Sequence, residues 1–339
     1  MTVECGERAH DHQPSGEDSL IARYFKPLAT DPGAFGLVDD AAIIPADGDD
    51  LVVNTDAIVE GVHYLPDDPP DTIARKALRV NLSDLAAKGA VPAGFVLTLA
   101  LRQKDEAWLS AFARGLGEDA AAFGCPLLGG DTVSTPGPVM ISITAWGRVP
   151  KGRMVHRFGA RPGDRVWVTG TIGDAMLGLA VSKGGPAAAA LAGDPAARDM
   201  LIGRYRVPQP RHLLAVPVRE FATASMDVSD GLAGDLSKLC AASRVSADIA
   251  LSQVPISSAA AKLVTAGYHQ LEGLISGGDD YEIVCTVPAA RCAAFCAAAG
   301  AAGVAVTDIG VIVEGPDVPR FLDEQGRPVV LKQRSYSHF

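Results

Sequence analysis

Apolar residues recur along the chain with two rhythms, one helical and one of short runs closed by turn residues. Between residues 71 and 88, Ile73, Leu78, Leu82 and Leu85 fall at helical spacing, Asp71 is placed to cap, and Gly89 with Pro92 stops the pattern. That helix carries Asn81, Asp84 and Lys88 on a neighbouring stripe, at i, i+3 and i+7. Upstream, after a polar leader, residues 18–28 predict a helix with Leu20, Ile21, Tyr24, Phe25 and Leu28 on one side. Ala41-Ala-Ile-Ile44 and Leu51-Val-Val53 flank a loop containing Asp47-Gly48 and predict a β-hairpin. Such a hairpin brings Asp40 and Asp56 to the same end. Downstream the pattern predicts a strand over 95–101, a helix over about 105–123, and a short strand over 126–128. Gly129-Gly130-Asp131-Thr132 ends that short strand, and another strand covers 139–146.

Around residues 150–163 the chain turns polar and basic with several Gly and Pro, and Arg165-Val-Trp-Val168 restarts the apolar pattern. A boundary there divides the chain into domains 17–150 and 151–339, in keeping with a length of 339 residues, too long for one ordinary core. The second half predicts strand, helix to Val181, a helix ending near Arg206, a helix opened by Met226-Asp-Val-Ser-Asp-Gly231, and a later strand after Ser276-Gly-Gly-Asp-Asp-Tyr-Glu282. Both halves read as α/β, of α+β type, with comparable rhythm but no repeat at the residue level.

Composition adds exclusions. A net charge of −10 argues against nucleic-acid or anionic-membrane partners, which need a basic surface. An anionic ligand would need metal ions as mediators. The six cysteines form no C-x-x-C pair and read as reduced thiols; Cys292 and Cys296 at i, i+4 read as packing rather than ligation. The polar N-terminus does not read as a signal peptide and no apolar run is long enough to span a bilayer, so a cytoplasmic location is expected.

The chain has no G-x-x-x-x-G-K-[ST] and no protein-kinase motif set. Gly115-x-Gly117 lies within a helical pattern and is no dinucleotide fingerprint. What remains is a series of aspartates at element junctions: Asp39-Asp40, Asp56, Asp84, Asp131, Asp227, Asp230 and Asp279-Asp280. Any one of them is more often a turn or cap residue than a ligand. Their placement after strands, in Asn54-Thr-Asp56, Gly129-Gly-Asp131-Thr and Asp227-Val-Ser-Asp230-Gly, points to a cation site at strand carboxyl ends. Oxygen donors of this kind suit Mg²⁺, and clustered carboxylates repel one another without a cation. Gly129-Gly130 lets backbone N–H groups approach an anion, and Arg153 and Arg157 read equally as phosphate contacts or as a solvated linker.

Taken in order, Gly36-Leu-Val-Asp-Asp-Ala-Ala42, Asn54-Thr-Asp-Ala-Ile-Val-Glu-Gly-Val-His63, Val80-Asn-Leu-Ser-Asp-Leu-Ala-Ala-Lys-Gly89, Gly129-Gly-Asp-Thr132, Asp227-Val-Ser-Asp-Gly231 and Ser276-Gly-Gly-Asp-Asp-Tyr-Glu282 resemble the motif set of the thiamine-monophosphate kinases. Ser19-Leu-Ile-Ala-Arg-Tyr-Phe25 and Tyr336-Ser-His-Phe339 match as well, so the resemblance spans nearly the whole chain. It implies the fold shared with aminoimidazole ribonucleotide synthetase and selenophosphate synthetase: an N-terminal mixed-sheet domain that binds ATP and Mg²⁺ and dimerises through its sheet, and a C-terminal α/β domain completing the cleft. It implies Mg²⁺ ligands at Asp40, Thr55, Asp56, Asp84, Asp131, Asp227 and Asp230, with Asn54 beside them, and assigns the transfer chemistry to Asp56, Asp84, Asp131 and Asp230. ATP contacts are implied at Gly130, Asp131, Arg157 and Ser229, and thiamine-phosphate contacts at His63, Asp279 and Tyr336.

Two departures stand out: Val38-Asp39-Asp40 where the family has Gly-Asp-Asp, and Gly277-Gly-Asp279-Asp280 where it has Gly-Gly-Glu-Asp. The second shortens a substrate contact by one methylene. The implied reaction is transfer of the ATP γ-phosphoryl group, in line and with several Mg²⁺ ions, to thiamine monophosphate in a cytoplasmic homodimer. Rivals are another ATP-dependent synthetase of the superfamily, resembling aminoimidazole ribonucleotide synthetase or a hydrogenase-maturation protein, and a catalytically silent nucleotide-binding regulator. Cys5-Gly-Glu-Arg does not supply the reactive loop of a selenophosphate synthetase.

Overall fold

The computed structural model describes residues 35, 36, 38, 39, 42–45 and 48–336; the leader, the helix expected over 18–28 and Asp40 lie outside the described residues. Five strands form the first sheet, β1 (Ala42–Pro45), β2 (Asp49–Val59), β3 (Val91–Leu101), β4 (Leu127–Ser134) and β5 (Met140–Pro150), in the order β1-β2-β5-β3-β4. Only β3 and β4 run parallel; the other pairs are antiparallel. Burial alternates strictly along most of β5 and through Asn54 of β2, so one face is core and the other is not. Helix α1 (Pro70–Ala87), with α2 (Glu106–Ala122) beside it, covers the inner face through Ile73, Ala77, Leu78, Leu82 and Leu85. Pro70 opens α1 at its first position, so Asp71 lies in the first turn and Pro69, not Asp71, is the N-cap. Asp105 caps α2, accepting from the Ala107 and Trp108 amides at 3.0 Å.

Two strands run further than expected. The short apolar run 51–53 is the middle of the longer β2, which pairs with β5 as far as Val59, so Asn54, Thr55 and Asp56 lie inside the strand and not at its end. Likewise Gly129-Gly130-Asp131-Thr132 does not terminate β4 but pairs in parallel with β3, Asp131 opposite Thr98. A side chain at Gly130 would meet the Leu97 carbonyl at 2.0 Å, so Gly130, read as part of a stop, is what lets the two backbones pair.

The second sheet has the order β11-β8-β10-β6-β9-β7 and is built from β6 (Arg165–Thr169), β7 (Ala224–Val228), β8 (Ser246–Ala250), β9 (Glu282–Val287), β10 (Val306–Val313) and β11 (Arg320–Leu322). Its helices are α3 (Asp174–Ser182), α4 (Pro186–Ala190), α5 (Pro195–Arg206), α6 (Ala215–Phe221), α7 (Leu232–Ser243), α8 (Ser258–Thr265), α9 (Leu271–Leu274) and α10 (Cys292–Ala301). Both faces are covered, one by α7 through Leu232, Leu236 and Leu239, the other by α6 and α10 through Val218 and Phe295, and β7 and β9 are buried throughout. Cys125, Cys240 and Cys285 are buried free thiols, and Cys292 and Cys296 are half-buried free thiols.

α1 is shared between the halves. Ala86 and Ala87 pack in the cluster of Trp167 and Cys285. The Lys88 ammonium donates to the Ser225 carbonyl at 3.1 Å and Arg79 Nη1 to that of Pro208 at 2.9 Å.

Helices α3 and α5 touch through Gly178, where an added Cβ would lie 2.0 Å from the Leu201 carbonyl oxygen. Gly178→Ala should lower stability by about 1–3 kcal/mol, since α3 and α5 must separate. Gly203→Ala, on α5 with nothing within 4 Å of the new Cβ, should raise it by about 0.5–1 kcal/mol through helix propensity. Urea unfolding of the two variants measures this; effects of the same sign would contradict the packing described.

Candidate active site

A cavity of ≈ 720 Å³ opens between the two halves, walled by β2, α1, the β7–α7 turn, the turn 276–281 and the C-terminal segment at Tyr336. β2 alternation turns Asn54 and Asp56 toward α1, where the stripe anticipated from spacing meets them. Asn54 Nδ2 donates to Asp84 Oδ2 at 2.9 Å and to Asn81 Oδ1 at 3.1 Å, and the Asp56 amide donates to Asn81 Oδ1 at 3.1 Å. From the other half, Asp227 is the penultimate residue of β7, and Ser229 and Asp230 lie in the turn into α7. Three carboxylates from three elements, Asp56, Asp84 and Asp227, thus face one space.

Their electrostatics are unfavourable as they stand. Burial raises the Asp84 carboxyl well above its usual range, and Asp227 and Asp56 push it further. Burial raises Asp56 too, as does the Asp230 charge, against a hydrogen bond with Asp84. Asp227 is pushed up to about 7 by burial and then by Asp235 and Asp56. Asp235, fully buried on α7, is raised to about 6 by burial and by Asp230, although Lys238 opposes the shift. Lys238 Nζ stands 2.6 Å from Asp230 and 3.2 Å from Asp235. Asp39 is the contrast: burial would raise it, yet Lys88 at 2.6 Å and the bonds from His156 and the Arg157 amide hold it at about 2.

The donor set fits Mg²⁺. The candidate ligands are all oxygens, and Asn54 Oδ1 is buried with no hydrogen-bond partner among the described residues, an acceptor left for a cation or a water. Among the described residues no three His, Cys, Asp or Glu side chains already close a metal cage. Mg²⁺ does not require one, because waters and substrate phosphates complete its octahedron.

Of the remaining candidates, His63, Arg157, Ser229, Asp279 and Tyr336 all line the cavity. His63 Nδ1 accepts from the Val59 amide at 3.0 Å, so a neutral His63 carries its proton on Nε2. Tyr336 is anchored through its amide, which donates to the Asp230 carbonyl at 2.9 Å. The Asp279 carboxylate forms a 2.8 Å ion pair with Lys76. Its neighbour Asp280 is wholly buried and accepts from the Gly173 and Ala175 amides at 2.7 and 3.2 Å, thereby capping α3. Thr55 also lines the cavity, although its hydroxyl is turned along the sheet and donates to the Ile143 carbonyl at 3.1 Å. Gly130 and Asp131 are not brought to the cavity. Asp131 lies opposite Thr98, which is opposite Ser142 and then Ala57, so it shares the outer face with Ala57 and Thr55 while Asp56 faces inward. The charged cavity residues that sequence reasoning did not single out are Lys238 and Asp235, and Lys76 stands behind its wall. All three sit within amphipathic helices, where an isolated charge has no signal to separate it from a solvated face.

Residues 38–149 match the family model described as AIR synthase related protein, N-terminal domain, and residues 161–322 match the corresponding C-terminal domain. Fold and carboxylate seam therefore define an AIR synthase-related protein. The chain is 45% identical to a thiamine-monophosphate kinase of Caulobacter vibrioides over 96% of its own length and 91% of that protein. It is 40% identical to one from Escherichia coli K12 over 96% and 98%. The solved structure described as AaThiL complexed with AMPPCP and TMP superposes with a TM-score of 0.77 at 29% identity, covering 91% of this chain and 97% of that one. Within its class, the chain belongs to the thiamine-monophosphate kinase family.

A carboxyl whose pKa is higher folded than unfolded contributes stability below its unfolded value, and that contribution is lost as pH rises through the folded value. Metal-free protein should therefore lose the Asp227 contribution between about pH 4 and pH 7. Asp227→Asn should raise the unfolding midpoint in chelator by clearly more at pH 8 than at pH 5, and leave it nearly unchanged at pH 4. The same difference at both pH values would contradict the crowding.

Proposed function

We propose that this chain transfers the γ-phosphoryl group of ATP to the phosphate of thiamine monophosphate, giving thiamine diphosphate and ADP. The observation that carries the reading is the meeting of Asp56, Asp84 and Asp227 across the seam, each raised by burial and by its neighbours, beside an unpartnered Asn54 Oδ1. Asp56, Asp84, Asp227 and Asp230 would hold Mg²⁺, with Asn54 and Thr55 of β2 beside them. Bound there, Mg²⁺ would neutralise the charge that accumulates between the donor and acceptor phosphates.

The other residues bind and orient. All five line the same cavity; on this reading Arg157 and Ser229 meet the nucleotide, and His63, Asp279 and Tyr336 meet the acceptor. An acceptor phosphate oxygen attacks the γ-phosphorus in line as the bond to the ADP oxygen breaks. A phosphate monoester has a second pKa of about 6 and is already largely dianionic near neutrality, so no general base is required. Rate then comes from alignment and charge neutralisation.

The family relationship and an uncovered sheet face support a homodimer. Val53, Thr55, Val96, Thr144 and Trp146 share the outer face of the first sheet, and among the described residues no helix packs over them. Pairing that face with a second copy would cover it, and would give Gly130 and Asp131 a route to the partner's nucleotide and metal that they lack within one chain. No helix among the described residues is long and apolar enough to cross a membrane. We place the reaction in the cytoplasm.

Asp56→Asn and Asp84→Asn should each lower ATP-dependent turnover of thiamine monophosphate by at least about 100-fold while the protein stays folded, the scale of losing one transition-state charge contact. Unphosphorylated thiamine should not be converted, because an alcohol needs a base to deprotonate it. ADP release measured with thiamine monophosphate, thiamine and no acceptor tests both. Unchanged turnover in both variants at saturating Mg²⁺ would remove the metal assignment, and efficient use of free thiamine would show a different reaction.

A further inference from the structure

Lys76 projects from α1 at the junction of the two halves and is 1% exposed. Its Nζ donates to the His63 carbonyl at 2.8 Å and to Asp279 Oδ2 at 2.8 Å, and lies 4.1 Å from the centroid of the Tyr205 ring. The partners come from separate pieces of the cavity wall: the turn after β2, the turn before β9, and α5. A buried ammonium is a poor device for stability alone, since its desolvation offsets most of what its partners return and an unbranched apolar side chain would fill the same volume. What the ammonium does, and an apolar residue could not, is fix two acceptor-side groups from different halves relative to each other.

The turn it holds needs holding. Asp279 has φ +73° and Tyr281 φ +51°, both non-glycine residues in the left-handed region, and the Asp279 amide is tied to the Ser229 carbonyl at 2.7 Å. With Oδ2 engaged by Lys76, Asp279 Oδ1 is the oxygen with no partner among the described residues, so the carboxylate is presented as one oriented acceptor. On the other side, Lys76 fixes the carbonyl of His63 while the Val59 amide fixes its ring, and the Tyr205 hydroxyl reaches the same carbonyl at 3.5 Å.

We infer that Lys76 is a positioning residue for the acceptor subsite: one ammonium sets the spacing between His63 and Asp279 across the domain seam, and with it the affinity for the phosphate acceptor but not for ATP. The inference rests on the reading that the acceptor lies between those two residues. Steady-state kinetics of Lys76→Met should show the thiamine-monophosphate KM raised at least about tenfold, the ATP KM within twofold, and Asp279→Asn adding less than twofold once Lys76 is gone, because residues acting as one unit are not additive. If Lys76→Met does not fold, the double variant Lys76→Met/Asp279→Asn, which leaves no unpaired carboxylate, takes its place: its acceptor KM should match that of Asp279→Asn alone. A purely structural lysine would move both KM values or only the unfolding midpoint. An acceptor KM within twofold of the unmodified chain, a parallel rise in the ATP KM, or multiplicative effects in the double variant would overturn the inference while the activity reading stands. Failure of the unmodified chain to release ADP in response to thiamine monophosphate would remove both.

Discussion

Repulsion between carboxylates held in one buried seam is the constraint on which the rest of this structure depends. Asp56 from β2, Asp84 from α1 and Asp227 from β7 are brought together by packing that is otherwise ordinary, an apolar helix face on an alternating strand and a buried parallel-edged sheet. The packing forces acids into a common low-dielectric space, where each raises the next. A fold that keeps such a cluster gives up stability to keep it, and divalent cations with phosphates are the ligands that would return it.

The cations the chain does contain stand around this cluster. Lys88, buried near the end of α1, meets Asp39 and reaches the second half at Ser225. Lys76, three turns earlier on the same helix, meets Asp279, and Lys238 meets Asp230 and Asp235 on the far side. Asp39 shows what a paired carboxylate looks like here, held at about 2, while the central three are pushed the opposite way. The arrangement separates acids already paired from acids awaiting a ligand, and it does so along one helix that belongs to both halves.

Much of this was legible in the sequence because its periodicities are local. Asn81 and Asp84 of the i, i+3, i+7 stripe meet β2 while Lys88, the third, meets Asp39 and Ser225, and the hairpin brings β1 alongside β2. Strand extent was not legible: Gly130, read as part of a stop, serves close parallel pairing with β3, a long-range contact that has no local signature. For the same reason Asp131, which shares its motif style with Asp56, lies on the opposite sheet face. Lys76, Lys238 and Asp235 carry no mark in the sequence, because only tertiary contacts convert a helix charge from solvated to buried. Asp279, read either as a substrate contact or as a turn residue, stands in the cavity wall with one carboxylate oxygen on Lys76, a long-range pairing that has no local signature.

The central claim is that the seam carboxylates oppose folding until cations bind them. Its most direct test is the thermal unfolding midpoint at pH 8, titrated with Mg²⁺ and a non-hydrolysable ATP analogue, for the unmodified chain and for Asp56→Asn/Asp84→Asn. The unmodified midpoint should climb steadily with Mg²⁺, while the double variant should start higher without metal and respond little. A double variant that starts lower and still climbs in parallel would contradict the account.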